Sequence, residues 1–531
     1  MKFKMKIVGL LSIAVLLGCC SQPSQSLRVL AIFPANAKSH FVVCEHVAKG
    51  LAAKGHQVDV YSHFPLKKPI PNYNDFSLKG TLPQYINNMN YSDAVTFQMI
   101  NVGTLLNLMG HPLCELMELP LFQNLLKNPP KDPAYDVLLV EPFVSNCYLA
   151  WGRHLNIPIV NIIPSNVLDW VHAPLGNPFF TAISPGMGFT GLHPMTFWQR
   201  LGNTLLHNLI VHSFNQEVRV QDKYVEKYFG QGYPNVVEMQ KEIDLVLANT
   251  HHSLDGVRPL TPAIIPVAGV HISEDDPPLS KEVQKWLDES TKGCIYFTLG
   301  SMLRFETFPK NIIDMFYTSF EKIAPVRVLM KIAKPEELPS GLPKNVMTQT
   351  WFSQVHVLKH KNVKAFVTHG GMMSSLEAIQ AAVPMVGIPV FGDQPTNVQL
   401  NVNKGIAQLI DLKDISEEKV TSALKAVLFD PKYQKNSQEL AKRFLDRPMK
   451  PIDTAVYWIE YVVRHGKGSL RSPLSEMPWW QSSLLDIYAF LALALIIVLF
   501  ILTRIIKIIC RLFGCAGNKK VSKTALLKKK N

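Results

Sequence analysis

The sequence is poor in cysteine, and the few it carries form no pattern. Eight occur in 531 residues. Four of them, Cys44, Cys114, Cys147 and Cys294, fall in the main body without metal-ligand spacing. A zinc-binding or cysteine-dense scaffold is thereby excluded; one or two disulfides stay open, with their pairing unreadable. Short repeats and low-complexity segments are missing as well. Acidic residues are absent after Thr503, where nine Lys or Arg stand, and Lys2, Lys4 and Lys6 open the chain. Those twelve cations account for all but +1 of the net charge of +13, so residues 7–503 are nearly neutral. A body so balanced excludes a broad nucleic-acid-binding surface. Sequons are scarce too: Asn90-Tyr91-Ser92 is the single N-x-[ST] match, and Asn90 is expected to carry a glycan on a lumenal surface.

Long apolar runs are confined to the two ends. "MKFKMKIVGLLSIAVLLGCCS" has a basic start, an apolar stretch from Ile7 to Leu17 and small residues after it. That is signal-peptide grammar, assigned here to residues 1–26, and the stretch is short for a bilayer crossing. "LLGC" at Leu16–Cys19 also resembles a bacterial lipoprotein processing site. At the other end, Leu484–Thr503 is apolar apart from Asp486. Twenty residues at ~1.5 Å each make about 30 Å, enough for one crossing. Trp479, Trp480 and Tyr488 flank its upstream edge and the cations follow it, which predicts a cytosolic tail over 504–531. The chain reads as type I, with a cleaved signal, a lumenal body, one span and a short basic tail. Its final "KKKN" resembles a dilysine retrieval signal of the endoplasmic reticulum, or is simply basic.

With 47% hydrophobic and 18% charged residues, the body is globular, and its length calls for more than one domain. Strand-like "LRVLAIFP", the loop "ANAKSH", a helical pattern from Phe41 and strand-like "HQVDVYS" make a βαβ unit. "YDVLLVE" and "IPIVNIIPS" continue that half. "DDPPLSKE" suits a linker, and strand-to-loop passages resume at "GCIYFTLGSM". We expect two doubly wound α/β domains facing a cleft, an N-terminal one over 27–272 and a C-terminal one over 293–470, with a transmembrane helix over 484–503.

In "KAFVTHGGMMSSLEAI" (Lys364–Ile379) a strand runs into His369 and two glycines, and a helix follows. Glycines at a helix start allow close backbone approach where N–H groups are unpaired, a combination suited to phosphate. Ser301, Gln354, His369, Ser374, Glu377, Asp393 and Gln394 all fall at strand ends of one parallel sheet, and such ends share an edge. Trp351 adds a flat face for a ring. The set suits a nucleotide diphosphate sugar.

The stretch "WFSQVHVLKHKNVKAFVTHGGMMSSLEAIQAAVPMVGIPVFGDQPTN" (Trp351–Asn397) closely resembles the signature of the UDP-glycosyltransferases. Likeness extends along the whole chain, and Met372-Met373 before Ser374 looks most like insect-type members. The resemblance implies a GT-B fold of two Rossmann-like domains, with the donor held mainly by the C-terminal one. It implies that Trp351 stacks on uracil, that Gln354 and Glu377 meet the ribose, and that Ser301, His369, Gly371 and Ser374 hold the diphosphate. Asp393 and Gln394 would bind the transferred sugar. Asn, usual in other members at Met373, is absent, and with it one side-chain phosphate contact. UDP-sugar is then a co-substrate, and neither a cofactor nor a metal is implied.

By the same resemblance His40, in the loop and helix start after the first strand, would be the general base. An imidazole titrating near neutral pH can take a proton from an attacking hydroxyl. The family pairs this His with an Asp. Here Glu141 stands at one candidate position and Asn146 at the other, where insect-type members often carry Asp. Glu141 is our choice for the partner. The expected activity is inverting transfer of a sugar, glucose by preference, to a hydroxyl of a small lipophilic acceptor. The acceptor pocket is expected to include Tyr73–Leu126, rich in Met, Leu and Phe. The rival reading is a non-catalytic sugar-nucleotide or lipophile-binding membrane protein. Nucleic acid is not an expected partner, and homo-oligomerisation is left open.

Overall fold

The computed structural model describes residues 26–97, 101–190, 194–273 and 277–513. The expected signal segment, with Cys19 and Cys20, and the end of the tail, with Cys515, Lys528 and Lys529, lie outside the described residues. The chain divides into two units, Met1–Ser472 and Pro473–Asn531.

The first unit is built on two parallel sheets. One holds β1 (Arg28–Phe33), β2 (Gln57–Ser62), β3 (Tyr73–Ser77), β4 (Val137–Val140), β5 (Ile159–Ile163), β6 (Ile243–Ala248) and β7 (Ile264–Pro266) in the order 3-2-1-4-5-6-7. The other holds β8 (Cys294–Thr298), β9 (Arg327–Lys331), β10 (Val346–Gln349), β11 (Val363–Thr368), β12 (Met385–Gly387) and β13 (Ala407–Leu409) in the order 10-9-8-11-12-13. These are doubly wound orders. The direction of winding reverses between β1 and β4 in one sheet and between β8 and β11 in the other, and such reversals open a crevice at the carboxyl ends of the strands.

Local sequence explains the layers. "RVLAIF" of β1 is buried from Val29 to Phe33 because helices cover both faces of a parallel sheet. Register runs Leu30↔Asp59 on one side of β1 and Leu30↔Leu138 on the other. Helix α1 (Lys38–Ala53) buries Phe41, Cys44, Val47, Ala48 and Leu51, spaced three or four apart, and stops before Gly55 at φ 94°. Helix α2 (Phe197–Glu217) opens with a capping box: Gln199 N–H donates to Thr196 Oγ1, and Thr196 N–H donates to Gln199 Oε1 at 2.8 Å. In the second sheet's half, α3 (Gln354–Lys359), α4 (Met372–Gln380) and α5 (Gln394–Asn403) follow β10, β11 and β12.

Two segments cross between the halves. Met89 and Ala94 pack into the core of the second half, where Met89 forms a bridge with Leu303. Helix α6 (Pro451–His465) follows the second sheet in sequence, but Ala455, Val456, Ile459 and Val462 join the core around β1 and α1. Each Val or Ile buried there contributes ~1.5–3 kcal/mol. Gly50 of α1 admits the close approach, since a Cβ there would lie 2.2 Å from Ile452. Cys114 and Cys147 form a disulfide, the pairing that the sequence left unread, while Cys44 and Cys294 are free and buried.

The second unit contains α7 (Leu485–Leu512), 28 residues long and apolar enough to cross a membrane. It continues past Thr503 through Arg504, Lys507 and Arg511, which recur on one face.

Candidate active site

Both reversal points carry a histidine. In the first half, β1 leads through a short loop into α1, whose first turn holds His40. Glu141 directly follows β4, the neighbour of β1. His40 Nδ1 and Glu141 Oε1 are 2.6 Å apart, with the carboxylate 1% exposed and the imidazole 27%. Phe143 packs its edge against the imidazole, 5.0 Å between centroids. Burial pulls the His40 pKa down, but the charge and hydrogen bond of Glu141, with the field of Asp393, outweigh it and leave His40 raised. Asn146 is also buried nearby, yet its amide nitrogen has no protein partner. Of the two acids-or-amides weighed from sequence, the structure brings Glu141 to His40.

In the second half, β11 ends at Thr368 and the HGG turn leads into α4. Gly370 has φ 82°, and a Cβ there would meet Val398 of α5 at 2.3 Å. Gly371 is needed for another reason: its Cβ would lie 2.7 Å from His369 Nε2. On the other side of the ring, a Cβ at Gly300, after β8, would meet His369 Cε1 at 2.5 Å. The imidazole is thus held between two glycine backbones. Burial and the nearby Lys331 charge push its pKa down to about 4, so it is neutral at physiological pH. No side chain caps the start of α4, leaving its first N–H groups available.

Around this turn the other expected residues gather. Gln354 Nε2 donates to Glu377 Oε2 at 2.6 Å and to Ser374 Oγ at 3.3 Å, and Tyr296 Oη donates to Gln354 Oε1. Trp351 is exposed, with Lys331 Nζ 5.6 Å from its ring centroid. Asn397 donates from Nδ2 to both Asp393 Oδ2 (2.8 Å) and the Gly370 carbonyl (3.1 Å). Asp393 opens onto solvent yet stands among protein groups, and that desolvation raises its carboxyl. Gln394 is buried, and its side-chain oxygen accepts from Val390 and Phe391 N–H. The Ser301 carbonyl accepts from Asn87 N–H of the crossing segment.

One cavity of about 2610 Å³ takes in His40, Trp351, His369, Glu377 and Asp393, with Ser301, Gln354, Gly371, Ser374 and Gln394. That exceeds the ~300–1,000 Å³ of a single small-ligand pocket and leaves room for two substrates. Its apolar wall includes Phe97, Leu105 and Met109 from the stretch expected to bind the acceptor. Trp170, Met187 and Leu209 complete it from segments that sequence reasoning missed. Asn90 stands outside this cavity, half-buried, its Oδ1 accepting from Arg304.

Three further polar residues were missed. Lys331 ends β9, is buried, and donates from Nζ to Asn87 Oδ1 and to the Gly300 carbonyl; burial lowers it to about 8. A lysine ending a buried parallel strand was the available signal. His271 lies buried 3.5 Å from Glu377. Asn397 closed the signature stretch without being singled out. Among the described residues no three His, Cys, Asp or Glu converge as metal ligands.

Chemically, the cavity offers a strengthened base on one side. On the other it offers a neutral imidazole, free helix N–H groups, an ammonium and a flat indole, a set matched to an activated phosphate ester.

Comparison with known proteins agrees. Residues 76–520 match the family model described as "UDP-glucoronosyl and UDP-glucosyl transferase". The chain is 35% identical over 513 residues to UDP-glycosyltransferase UGT5 of Dactylopius coccus, covering 94% of this chain and 96% of that one. It is 27% identical over 463 residues to the ecdysteroid UDP-glucosyltransferase of Spodoptera littoralis nuclear polyhedrosis virus, covering 83% and 88%. Among solved structures, Os79 from O. sativa, in complex with U2F and trichothecene, superposes with a TM-score of 0.56 at 16% identity, covering 82% of this chain and 100% of that one. The chain belongs to the UDP-glycosyltransferase family, and it is a glycosyltransferase that uses a UDP-sugar as co-substrate.

Proposed function

We propose that this enzyme moves glucose from UDP-glucose to a hydroxyl of a small lipophilic acceptor, with inversion at the anomeric carbon. The observation that carries the mechanism is the 2.6 Å contact between His40 Nδ1 and Glu141 Oε1 at the edge of the shared cavity. With Nδ1–H held by the carboxylate, Nε2 can accept the proton of the acceptor hydroxyl. As the acceptor oxygen bonds to the anomeric carbon, the bond to the UDP oxygen breaks and its electrons pass to the diphosphate. Glu141 stabilises the imidazolium that forms.

In this reading Trp351 stacks on uracil, and Gln354 and Glu377 take the ribose. His369, Gly371, Ser374, Ser301 and the first N–H groups of α4 receive the diphosphate, and the Lys331 ammonium stands close to them. Asp393 and the Gln394 amide take sugar hydroxyls. The apolar wall from Phe97 to Leu209 favours a lipophilic acceptor, as does the likeness to the viral ecdysteroid UDP-glucosyltransferase, which also supports glucose. The apolar α7 and the cations beyond it support a type I protein of the endoplasmic reticulum membrane with a lumenal body.

The test is release of UDP from UDP-glucose with a panel of phenols and sterol-like alcohols. Turnover by the parent and loss of it in His40→Ala, with UDP binding kept, supports the scheme. Equal turnover in both would overturn it.

A further inference from the structure

Beside the His40–Glu141 pair lies a second and much smaller cavity, which shares His40, Phe143 and Trp170 with the large one. Its volume is about 20 Å³, and its lining includes Glu141, Asn146, Asn161 and Gln240. All four residues are at least 98% buried. Each has a polar atom that no protein group partners: Glu141 Oε2, Asn146 Nδ2, Asn161 Oδ1 and Gln240 Nε2. Such coincidence is unusual, because buried polar atoms are almost always hydrogen-bonded. Asn161 is the more telling for its place. It interrupts "IVNII" of β5, a strand buried along its whole length, where an aliphatic side chain would otherwise stand.

The four atoms are two donors, from the amides of Asn146 and Gln240, and two acceptors, Glu141 Oε2 and Asn161 Oδ1. Water supplies two hydrogens and two lone pairs, so it can meet all four. A cavity of this size has room for one or two waters, and a buried water commonly makes two to four hydrogen bonds. Among the described residues, the Cys44 thiol interacts with Glu141 and burial keeps it protonated, while Asp393 acts on His40 across the large cavity.

We propose that this small cavity holds ordered water that completes the hydrogen bonding of Glu141, making Asn146, Asn161 and Gln240 positioning residues for the His40–Glu141 pair. The water donates to Oε2 while Oε1 holds His40. Its other bonds, to the three amides, fix the carboxylate's direction. The inference rests on the reading of His40 as the base. With Glu141 as the acid, an amide at 146 donates where a second carboxylate would repel.

Asn161→Leu and Gln240→Met each remove one of the water's partners with little change of volume. Each variant is compared with the parent and with His40→Ala by thermal unfolding, UDP binding, and the pH profile of transfer from UDP-glucose to an acceptor that the parent glucosylates. The expected result is parent-like UDP binding and transfer lowered ~10-fold, the scale of losing a hydrogen bond to a charged group. The acidic limb of the profile should also move to lower pH, because a carboxylate no longer held in line with His40 raises the imidazole less. In the His40→Ala background neither substitution should lower the residual rate further. Transfer that falls with the limb unmoved would mean that the two residues serve packing alone, and the inference fails. Parent rates and profiles in both variants would overturn it as well. If His40→Ala itself transfers at the parent rate, the base assignment fails first and this inference falls with it.

Discussion

Replacing Glu141 by Gln probes the proposed base without touching the donor site. The substitution keeps shape and removes one charge from a site where the carboxylate is 1% exposed and 2.6 Å from the imidazole. A hydrogen bond to a charged group contributes about 1.5–3 kcal/mol and one between neutral groups roughly 0.5–1.5 kcal/mol. The difference, of order 1–2 kcal/mol, is a loss of roughly 5–30-fold in transfer if Gln presents its oxygen to Nδ1. If Gln presents its nitrogen instead, His40 is driven to the tautomer with the proton on Nε2, which cannot accept another, and the loss grows. Glu141 raises the His40 pKa, so removing its charge lowers it. The acidic limb of the profile, where the free base becomes protonated, must then shift to lower pH even as the plateau falls. Stopped-time assays of UDP release across pH read both effects at once. The double variant with His40→Ala completes a cycle: since Glu141 acts through His40, its loss should cost little more once the imidazole is gone. A double variant showing the product of the two single losses, or an acidic limb that stays in place, would refute the pairing.

His369→Ala should weaken UDP binding ~10–100-fold, the scale of one hydrogen bond to a phosphate. Gly371→Val should do the same by driving a side chain into the His369 ring, 2.7 Å from the first added carbon; calorimetry showing unchanged UDP affinity in both would leave HGG as only a turn. Lys331 is lowered to about 8, so UDP affinity should decline in the parent between pH 7 and 9 as this charge is lost, and Lys331→Met should be weaker throughout and flat over that range. His40 has a raised pKa, so its ion pair should contribute stability fully present below about pH 6.5 and lost as pH rises through the folded-state value; thermal unfolding of Glu141→Gln should lack that component. Protease added to sealed microsomes should trim only the tail beyond α7, and digestion of the body would reverse the proposed orientation.

The fold was legible because parallel strands buried on both faces leave continuous apolar runs, as in "RVLAIF" and "VKAFVT", with helical spacing between them. The gathering of Trp351, Gln354, His369, Glu377 and Asp393 around one cavity was legible for a related reason. Its residues are the ends of successive strands in one sheet, so order along the sequence maps onto one edge in space. What sequence could not give was contact between distant segments. Asn87 reaches Lys331 and Ser301 from the opposite half, and α6 returns to α1 after the whole second sheet. Neither crossing has a local signature, because each is decided by which apolar faces remain uncovered once the sheets form. The apolar wall was read in part for the same reason: Phe97, Leu105 and Met109 lie in one Met- and Leu-rich stretch, while Trp170, Met187 and Leu209 come from three others. The choice between Glu141 and Asn146 was likewise geometric, five residues apart in sequence and separated only by which side chain the turn after β4 aims at α1.

The two histidines at the reversal points show how one fold can tune the same side chain in opposite directions. Both are drawn down by burial. At His40 that pull is overcome by two carboxylates, one in contact and one across the cavity, and the imidazole becomes a better proton acceptor. At His369 the charge that acts, among the described residues, is the Lys331 ammonium, and the imidazole stays neutral down to about pH 4. A neutral imidazole between two glycine backbones can donate one N–H to a phosphate without an extra proton, while a strengthened one can take a proton from a hydroxyl. Pairs of groups whose surroundings push their pKa values apart mark out separate roles in one site. Glu141 lies beside the first half's helix start and the lysine ends a strand of the second, while Asp393 reaches His40 from the second half. Exchanging the charges, with Glu141→Gln on one side and Lys331→Met on the other, should therefore bring the two imidazoles toward each other in pKa. On the proposed mechanism the first change should slow transfer, while the second should act on UDP binding.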